Sequence, residues 1–208
     1  LEIGCGWGGF AITAAREFGA RVTGVTISAE QHAVAVQRVR EAGLADRVEI
    51  LLADYRTLTG SFSKIASIEM FEAVGEEYWP GYFQKISDVL KPGGKAALQI
   101  ITVDDKYFEE CRRRRDFIQV YVFPGGMLPS PDAFIAQARR AGLEVIDRFD
   151  FGQDYAHTLK LWREAFVSRL DAVRAQGFDD RFIRTWEFYL AYCEAAFRHR
   201  NTDVVQFT

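Results

Sequence analysis

The sequence has 208 residues, of which 49% are hydrophobic and 26% charged, a balance typical of a globular chain with one substantial core. Its formal net charge of -3 at pH 7 argues against a nucleic-acid binder that works by neutralising many phosphates. The three cysteines, Cys5, Cys111 and Cys193, have neither C-x-x-C spacing nor nearby histidine pairs, which argues against a disulfide framework and a zinc site and favours a reducing cytoplasm.

The first hundred residues alternate short apolar strands with helices. We predict strands at 1–3, 21–25, Val48–Leu52, 65–68 and 95–102, and helices at 7–17, 28–42 and 78–90. Gly19 and Gly43 follow two of these helices, and Ser28 caps the second at its N-terminus. Such alternation predicts a parallel sheet with both faces covered by helices.

The pattern changes after Val103. The run RRRR at 112–115 and the stretch FPGGMLPS precede a predicted helix at 132–141 and a strand near 143–149, residues 155–197 are mostly helical and aromatic, and strand character returns at 204–207. We therefore predict a single domain, with a core of about 1–102, 131–149 and 203–208 and cap insertions at about 103–130 and 150–202. The arginine run has two interpretations, contact with lipid phosphates or an exposed helix end, and both stay open.

The opening stretch LEIGCGWGGF contains three glycines in the pattern G-x-G-x-x-G, which is a weak signal for a dinucleotide site. Such a site needs an acidic residue about 20 positions later, and Thr26 stands there instead. Glu2 would repel a pyrophosphate but suits the ammonium group of S-adenosylmethionine. Asp54, after the third strand, can accept a hydrogen bond from an adenine amino group. The pattern favours S-adenosylmethionine over a nicotinamide cofactor.

Eight stretches resemble the cyclopropane-fatty-acyl-phospholipid synthases and the related mycolic acid methyltransferases. They are LEIGCGWGGF, GVTISAEQ, ADYR, SIEMFEAVG, LKPGG, YVFPGGMLPS, DFGQDYAHTLKLW and TWEFYLAYCEAAFR. The resemblance covers nearly the whole chain in the family's order. It implies a Rossmann-like class I methyltransferase fold, an α/β sheet that is mostly parallel with helices on both faces, plus a helical cap. Because Leu1 falls inside a motif, we also expect that the family's N-terminal segment is missing from this sequence.

The pattern described above gives Glu2 and Asp54, and the resemblance assigns the other residues of the cofactor site. From the methionine end to the adenine, the expected contacts are Glu2, Gly4, Cys5, Gly6, Thr26, Ile27, Ser28, Gln31, Asp54, Tyr55 and Arg56. The hydroxyl of Thr26 and the amide of Gln31 would replace the carboxylate that usually binds the ribose.

The family's reaction implies a second set of residues. A cis alkene attacks the sulfonium methyl itself, so the protein must orient the reactants, exclude water and remove one proton. In the family a bound bicarbonate is the base, and its expected holders here are Glu72, Gln99, Tyr155 and the backbone of Ile101. An ionised Glu72 would repel bicarbonate, so its pKa should be raised. Gln99 stands where many bacterial synthases have a histidine, and an amide can donate a hydrogen bond but cannot titrate.

Cys193 has two interpretations, a catalytic nucleophile or core filling. We favour core filling, because alkene methylation needs no thiolate, but Cys193 stays among the catalytic candidates.

The predicted function is S-adenosylmethionine-dependent methyl transfer to the cis double bond of unsaturated phospholipid acyl chains, forming cyclopropane fatty acids. Two alternatives stay open: a methylene- or methyl-branched product of the same first step, and an inactive cofactor-binding fragment. The expected partners are the cofactor, bicarbonate and phospholipid at a membrane surface, with a homodimer allowed and neither nucleic acid nor metal. No apolar run approaches the roughly 20 residues of a bilayer span, so we expect a cytoplasmic protein that is peripheral at the inner face of the membrane.

Overall fold

The computed structural model describes residues 1–208, which divide into two compact units. The first unit comprises Leu1–Ile100, Ile135–Arg148 and Gln206–Thr208, and the second comprises Ile101–Phe134 and Phe149–Val205.

Seven strands form one sheet. They are β1 (Glu2–Ile3), β2 (Val22–Thr26), β3 (Val48–Leu52), β4 (Phe62–Ile68), β5 (Leu90–Val103), β6 (Arg148–Asp150) and β7 (Thr202–Phe207). The strand order is β3-β2-β1-β4-β5-β7-β6, and β1 to β5 pair in parallel. The N–H of Asp104 bonds to the carbonyl of Asn201, and the side chain of Gln206 bonds to that of Gln99, so β7 runs antiparallel to β5. The prediction of a mostly parallel α/β sheet is confirmed.

Nine α-helices accompany the sheet. They are α1 (Gly9–Phe18), α2 (Ala29–Glu41), α3 (Trp79–Val89), α4 (Asp105–Arg113), α5 (Phe117–Tyr121), α6 (Pro131–Arg140), α7 (Gly152–Val167), α8 (Leu170–Ala175) and α9 (Asp180–Arg198). None of them has both the length and the apolar character that crossing a membrane requires.

In the first unit, small side chains let α1 lie close to the sheet. Ala11 and Ala15 of α1 are buried in one cluster with Cys5 and Ile50. A parallel sheet places the carboxyl ends of β1 to β5 at one edge, and the loops that follow them carry most of the candidate residues. The fold therefore gathers distant parts of the sequence at the edge where α/β sheets bind ligands.

In the second unit, α7 and α9 pack along each other around an apolar cluster that includes Leu159 and Leu190. An ion cluster joins the same two helices. The carboxylate of Glu194 on α9 accepts from Arg163 on α7 at 3.1 Å and from Arg198 at 2.9 Å. Glu194 is 8% exposed, so these arginines satisfy a buried carboxylate.

One local prediction was wrong, and two features of the chain were not predicted. Strand structure begins only at Arg148 rather than near 143, because before that point the N–H groups of Ile146 and Asp147 both reach the single carbonyl of Thr208 and no ladder forms. The KPGG stretch lies within β5, where it produces an irregular register opposite Phe62. The interval 105–121 also forms two helices that were not predicted.

Each of these two helices has an aspartate cap. Asp104 accepts from the N–H of Lys106, and Asp116 forms a reciprocal capping box with Gln119. The D-x-x-Q spacing in the sequence could have predicted α5.

Candidate active site

The loop after β1 turns sharply into α1 through glycines with left-handed backbone. The φ angles of Gly4, Gly6 and Gly8 are 77°, 51° and 79°. The N–H groups of Gly4 and Cys5 both donate to the carbonyl of Val25, which fixes the loop to β2. A Cβ on Gly4 would lie 2.8 Å from Cγ of Met70, whereas a Cβ on Gly6 would meet nothing within 4 Å. Gly6 therefore borders open space next to the N-terminus of α1.

Glu2 is a buried carboxyl group at the base of this loop, with 3% of its surface exposed. Burial raises the pKa of Glu2 to about 7, and a hydrogen bond from the N–H of Ala11 in the first turn of α1 partly opposes that shift. Its Oε2 atom has no hydrogen-bond partner. A buried acid with an unsatisfied oxygen fits a ligand that brings a positive group.

Cys5 follows in the same loop and is also buried. Burial raises the pKa of Cys5 to about 11, so its sulfur stays a thiol at neutral pH.

The loop after β2 holds the expected ribose contacts. The buried hydroxyl of Thr26 donates to Oε1 of Gln31 at 2.8 Å and accepts from the N–H of Ser28. Ser28 also caps α2, because its Oγ accepts from the N–H of Gln31. Thr26 thus holds the carbonyl end of Gln31 and leaves the Gln31 NH₂ for a ligand. Ile27 is 79% exposed beside them and offers an apolar surface.

The loop after β3 holds the expected adenine contacts. Asp54 accepts from the backbone N–H of Arg56, and both of its oxygens accept from the Arg56 guanidinium. These hydrogen bonds hold the pKa of Asp54 below its usual value, so it remains an acceptor. The Tyr55 ring packs edge-on against Tyr82 at 5.6 Å. An adenine amino group would share Asp54 with Arg56.

Glu72 and Gln99, two of the expected bicarbonate holders, lie in the first unit. Glu72 is half-buried in a 3-10 turn, Phe71–Ala73, whose Phe71 packs against the ring of Tyr82 at 5.0 Å. Burial raises the pKa of Tyr82, and the charge of Glu72 raises it further. Gln99 near the end of β5 is half-buried.

Sequence reasoning missed two neighbours of Gln99. Its Nε2 donates to Glu69 at 2.8 Å, and its Oε1 accepts from Gln206 at 2.9 Å. Glu69 directly follows β4 at the ligand-binding edge of the sheet. A charged residue at such a position could have indicated from the sequence that Glu69 belongs to the site.

The other three catalytic candidates lie in the second unit. Ile101, Tyr155 and Cys193 all pack against the apolar cluster of α7 and α9. The Tyr155 ring lies 5.1 Å from that of Phe197. Burial raises the pKa of Cys193 to about 12. Such a thiol is a poor nucleophile, which agrees with the interpretation of Cys193 as core filling.

The arginine run is largely paired within its own segment. Arg112 and Arg113 contact Glu109 at 3.0 and 3.6 Å, and Arg114 contacts Glu110 at 2.8 Å. Residues 104–116 contain five basic and five acidic side chains, so the segment has no net charge. The run therefore gives little general attraction to an anionic surface.

Comparison with known proteins identifies the family of this chain. The profile described as mycolic acid cyclopropane synthetase matches residues 1–207. The tuberculostearic acid methyltransferase UfaA1 of Mycobacterium tuberculosis (strain ATCC 25618 / H37Rv) is 46% identical over 100% of this chain and 49% of its own length. The cyclopropane-fatty-acyl-phospholipid synthase of Escherichia coli (strain K12) is 39% identical over 99% of this chain and 51% of its own. The chain thus spans about half the length of these relatives.

The fold agrees with a solved structure of the same kind. Mycolic acid cyclopropane synthase CmaA1, in a complex with SAH and CTAB, superimposes with a TM-score of 0.89 at 28% identity, covering 99% of this chain and 75% of that one. The chain belongs to the mycolic acid cyclopropane synthetase family of S-adenosylmethionine-dependent methyltransferases.

Proposed function

We propose that this protein transfers the methyl group of S-adenosylmethionine to a cis double bond in an unsaturated phospholipid acyl chain, and that the resulting cation loses a proton and closes to a cyclopropane. The observation that carries the cofactor part of the proposal is the buried Glu2 oxygen without a partner, together with the open space at Gly6 in the loop that follows. The names of the relatives support the substrate class, since one is a fatty-acyl-phospholipid synthase and another a tuberculostearic acid methyltransferase.

The first unit offers a group for each part of the cofactor. Bound S-adenosylmethionine supplies an electrophilic methyl group. Glu2 suits its ammonium, and the N-terminus of α1 suits its carboxylate. The NH₂ of Gln31 is available to a ribose hydroxyl, and Asp54 to the adenine amino group. The donors and acceptors that remain on this chain therefore match those of the cofactor.

Proton removal is the second task of the site. We assign a bicarbonate ion as the proton acceptor, with the amide of Gln99 donating to it. A donor role for Glu72 requires its neutral form and stays a prediction. The assignment of Ile101 and Tyr155 to the same ion rests on the family resemblance and stays a prediction.

A branched product is the second candidate. The relative with 46% identity is a tuberculostearic acid methyltransferase, and Gln99 cannot take up a proton as a histidine can. Both products share the first methyl transfer and differ in the fate of the cation.

Glu2→Gln should remove a pH dependence of cofactor affinity. In the parent, Glu2 with a pKa of about 7 must be ionised to pair with the cofactor ammonium, so affinity should rise about tenfold between roughly pH 6 and pH 8. The glutamine variant should bind more weakly at pH 8 and lack this component. Calorimetry measures the affinity of both proteins. Because both are measured with the same cofactor, the titration of the cofactor's own amine affects the two pH profiles equally. Parallel pH profiles for the two proteins would contradict the role of Glu2.

Cys193→Ser should retain turnover within about threefold of the parent, because the buried thiol has no covalent step to perform. The measurement is methyl transfer to unsaturated phospholipid, with circular dichroism as the control for folding. Complete loss of turnover in a folded variant would restore the nucleophile interpretation.

The proposed function itself is tested with the complete protein, methyl-labelled S-adenosylmethionine and phospholipid vesicles. Label should enter vesicles with cis-unsaturated chains and not vesicles with saturated chains. Chromatography of the released acyl chains then separates ring from branched products. Equal labelling of saturated lipid would reject alkene methylation.

A further inference from the structure

Gln99 is the centre of a hydrogen-bonded group that we call the Gln99 triad: Glu69, Gln99 and Gln206. Glu69 accepts from the Nε2 of Gln99 at 2.8 Å, and Gln206 donates its Nε2 to the Oε1 of Gln99 at 2.9 Å. The three residues follow or lie in β4, β5 and β7 and are separated by 30 and 107 positions in sequence. Both ends of the Gln99 amide are therefore held by the fold.

Glu69 is attached to Gln99 at two points. In addition to the side-chain bond, the N–H of Glu69 donates to the carbonyl of Gln99 at 2.8 Å. Its φ angle is 49°, in the left-handed region that non-glycine residues rarely adopt. Strained backbone of this kind persists where the surroundings hold it, and it concentrates at functional sites. This conformation places a carboxylate, rather than the bare backbone of a glycine, beside Gln99.

The Gln99 triad lies close to the cofactor loop. Met70 directly follows Glu69, and its Cγ lies 2.8 Å from the position of a Cβ on Gly4. Gly4 is thus in direct contact with the residue next to the triad. The triad therefore lies nearer to the methionine end of the cofactor site than to its adenine end.

The charge of Glu69 determines which way the Gln99 amide faces. A carboxylate accepts hydrogen bonds only, so it favours the NH₂ group of Gln99 and opposes its carbonyl oxygen. Gln206 adds a donor on the other side, which favours the same orientation. After these two bonds, Gln99 retains one amide N–H for a ligand. A neutral residue at position 69 would allow the amide to rotate and present its oxygen.

We propose that Glu69 and Gln206 are positioning residues that lock the Gln99 amide, so that its remaining N–H is kept as a donor for the anion that takes the proton. The proposal rests on the proposed function, because it assigns Gln99 a donor role toward the anion that takes the proton. A fixed donor holds that anion in one place, and a rotating amide would hold it poorly.

The test uses Glu69→Gln and Gln206→Leu in the complete protein, with Glu49→Gln as a matched control. Glu49 is an exposed carboxylate on β3, outside the candidate site. Turnover should fall about tenfold in Glu69→Gln, which loses a charge-assisted hydrogen bond, and about fivefold in Gln206→Leu, which loses a bond between two neutral amides. Affinity for S-adenosylhomocysteine should stay within about twofold, because the cofactor loop is intact. The control should match the parent in both measurements.

A second measurement does not depend on turnover. With glutamine labelled with ¹⁵N, the side-chain amide signals of Gln99 should be sharp in the parent and should shift and broaden in both triad variants but not in the control. Unchanged signals in both variants would overturn the lock, and unchanged turnover in both would overturn its role in the reaction. If the parent methylates no lipid, the proposed function fails, and the amide signals still decide whether the lock exists.

Discussion

Gly6→Val is expected to abolish binding of S-adenosylmethionine. The valine side chain would occupy the open space next to Gly6, and its β-branch would strain a backbone with a φ angle of 51°. Loss of the cofactor fit should weaken binding by a factor of about 100 or more, which calorimetry measures directly. Turnover should disappear with it.

Gly43→Val is the matched control for this prediction. Gly43 has a φ angle of 68°, and a Cβ there would also meet nothing within 4 Å, but it lies between α2 and β3. Both variants add the same side chain to the same kind of backbone, so the strain of roughly 1–2 kcal/mol is shared. Gly43→Val should therefore bind the cofactor as the parent does. Equal affinities of the two variants would contradict the cofactor site.

Glu194→Ala is expected to lower the free energy of unfolding by about 1–3 kcal/mol, because it removes the charged hydrogen bonds to Arg163 and Arg198 where α7 packs against α9. Burial opposes ionisation of Glu194, but hydrogen bonds from the two arginines hold its pKa below the usual value. Its stabilising contribution should therefore be present at neutral pH and fall as the pH drops through that lowered pKa. Urea denaturation at neutral and acid pH measures both effects.

Arg174→Ala is the control for the ion cluster. Arg174 contacts Asp171 and Asp180 at 3.6 and 3.0 Å, so it pairs with two opposite charges as Glu194 does. The three side chains differ from Glu194 in that each is about half exposed or more. Its removal should change the free energy of unfolding by less than about 1 kcal/mol. A loss as large as that of Glu194→Ala would show that burial of the cluster is not what gives it strength.

The regular part of the fold follows from local patterns. The strand Val48–Leu52 occurs at its predicted bounds, and α2 starts after its predicted cap, Ser28, because alternating apolar runs and capping residues act over a few positions. The strand predicted near 143 fails because a β-strand needs a partner with the right register, and the sequence does not display where the end of β7 lies.

The candidate site was predictable only where a short motif contains it. Gly4, Gly6 and Glu2 lie within six residues and were identified together. The partners of Gln99 were not identified, since Gln206 is 107 positions away and meets it only through the order of the strands. Thr26 shows the same limit at shorter range. The hydrogen bond from its hydroxyl to Gln31, five positions away, was not predicted, and its contact with ribose stays a prediction.

The most direct test of methyl transfer to an alkene followed by proton loss uses S-adenosylmethionine with a trideuterated methyl group and an oleoyl phospholipid. Mass spectrometry and proton NMR of the acyl product should show a cyclopropane carbon that retains two of the three deuterium atoms, because one leaves with the proton acceptor when the ring closes. A product that retains all three deuterium atoms in a methyl group on oxygen or nitrogen would contradict the account. So would a complete protein that transfers no deuterium to the lipid.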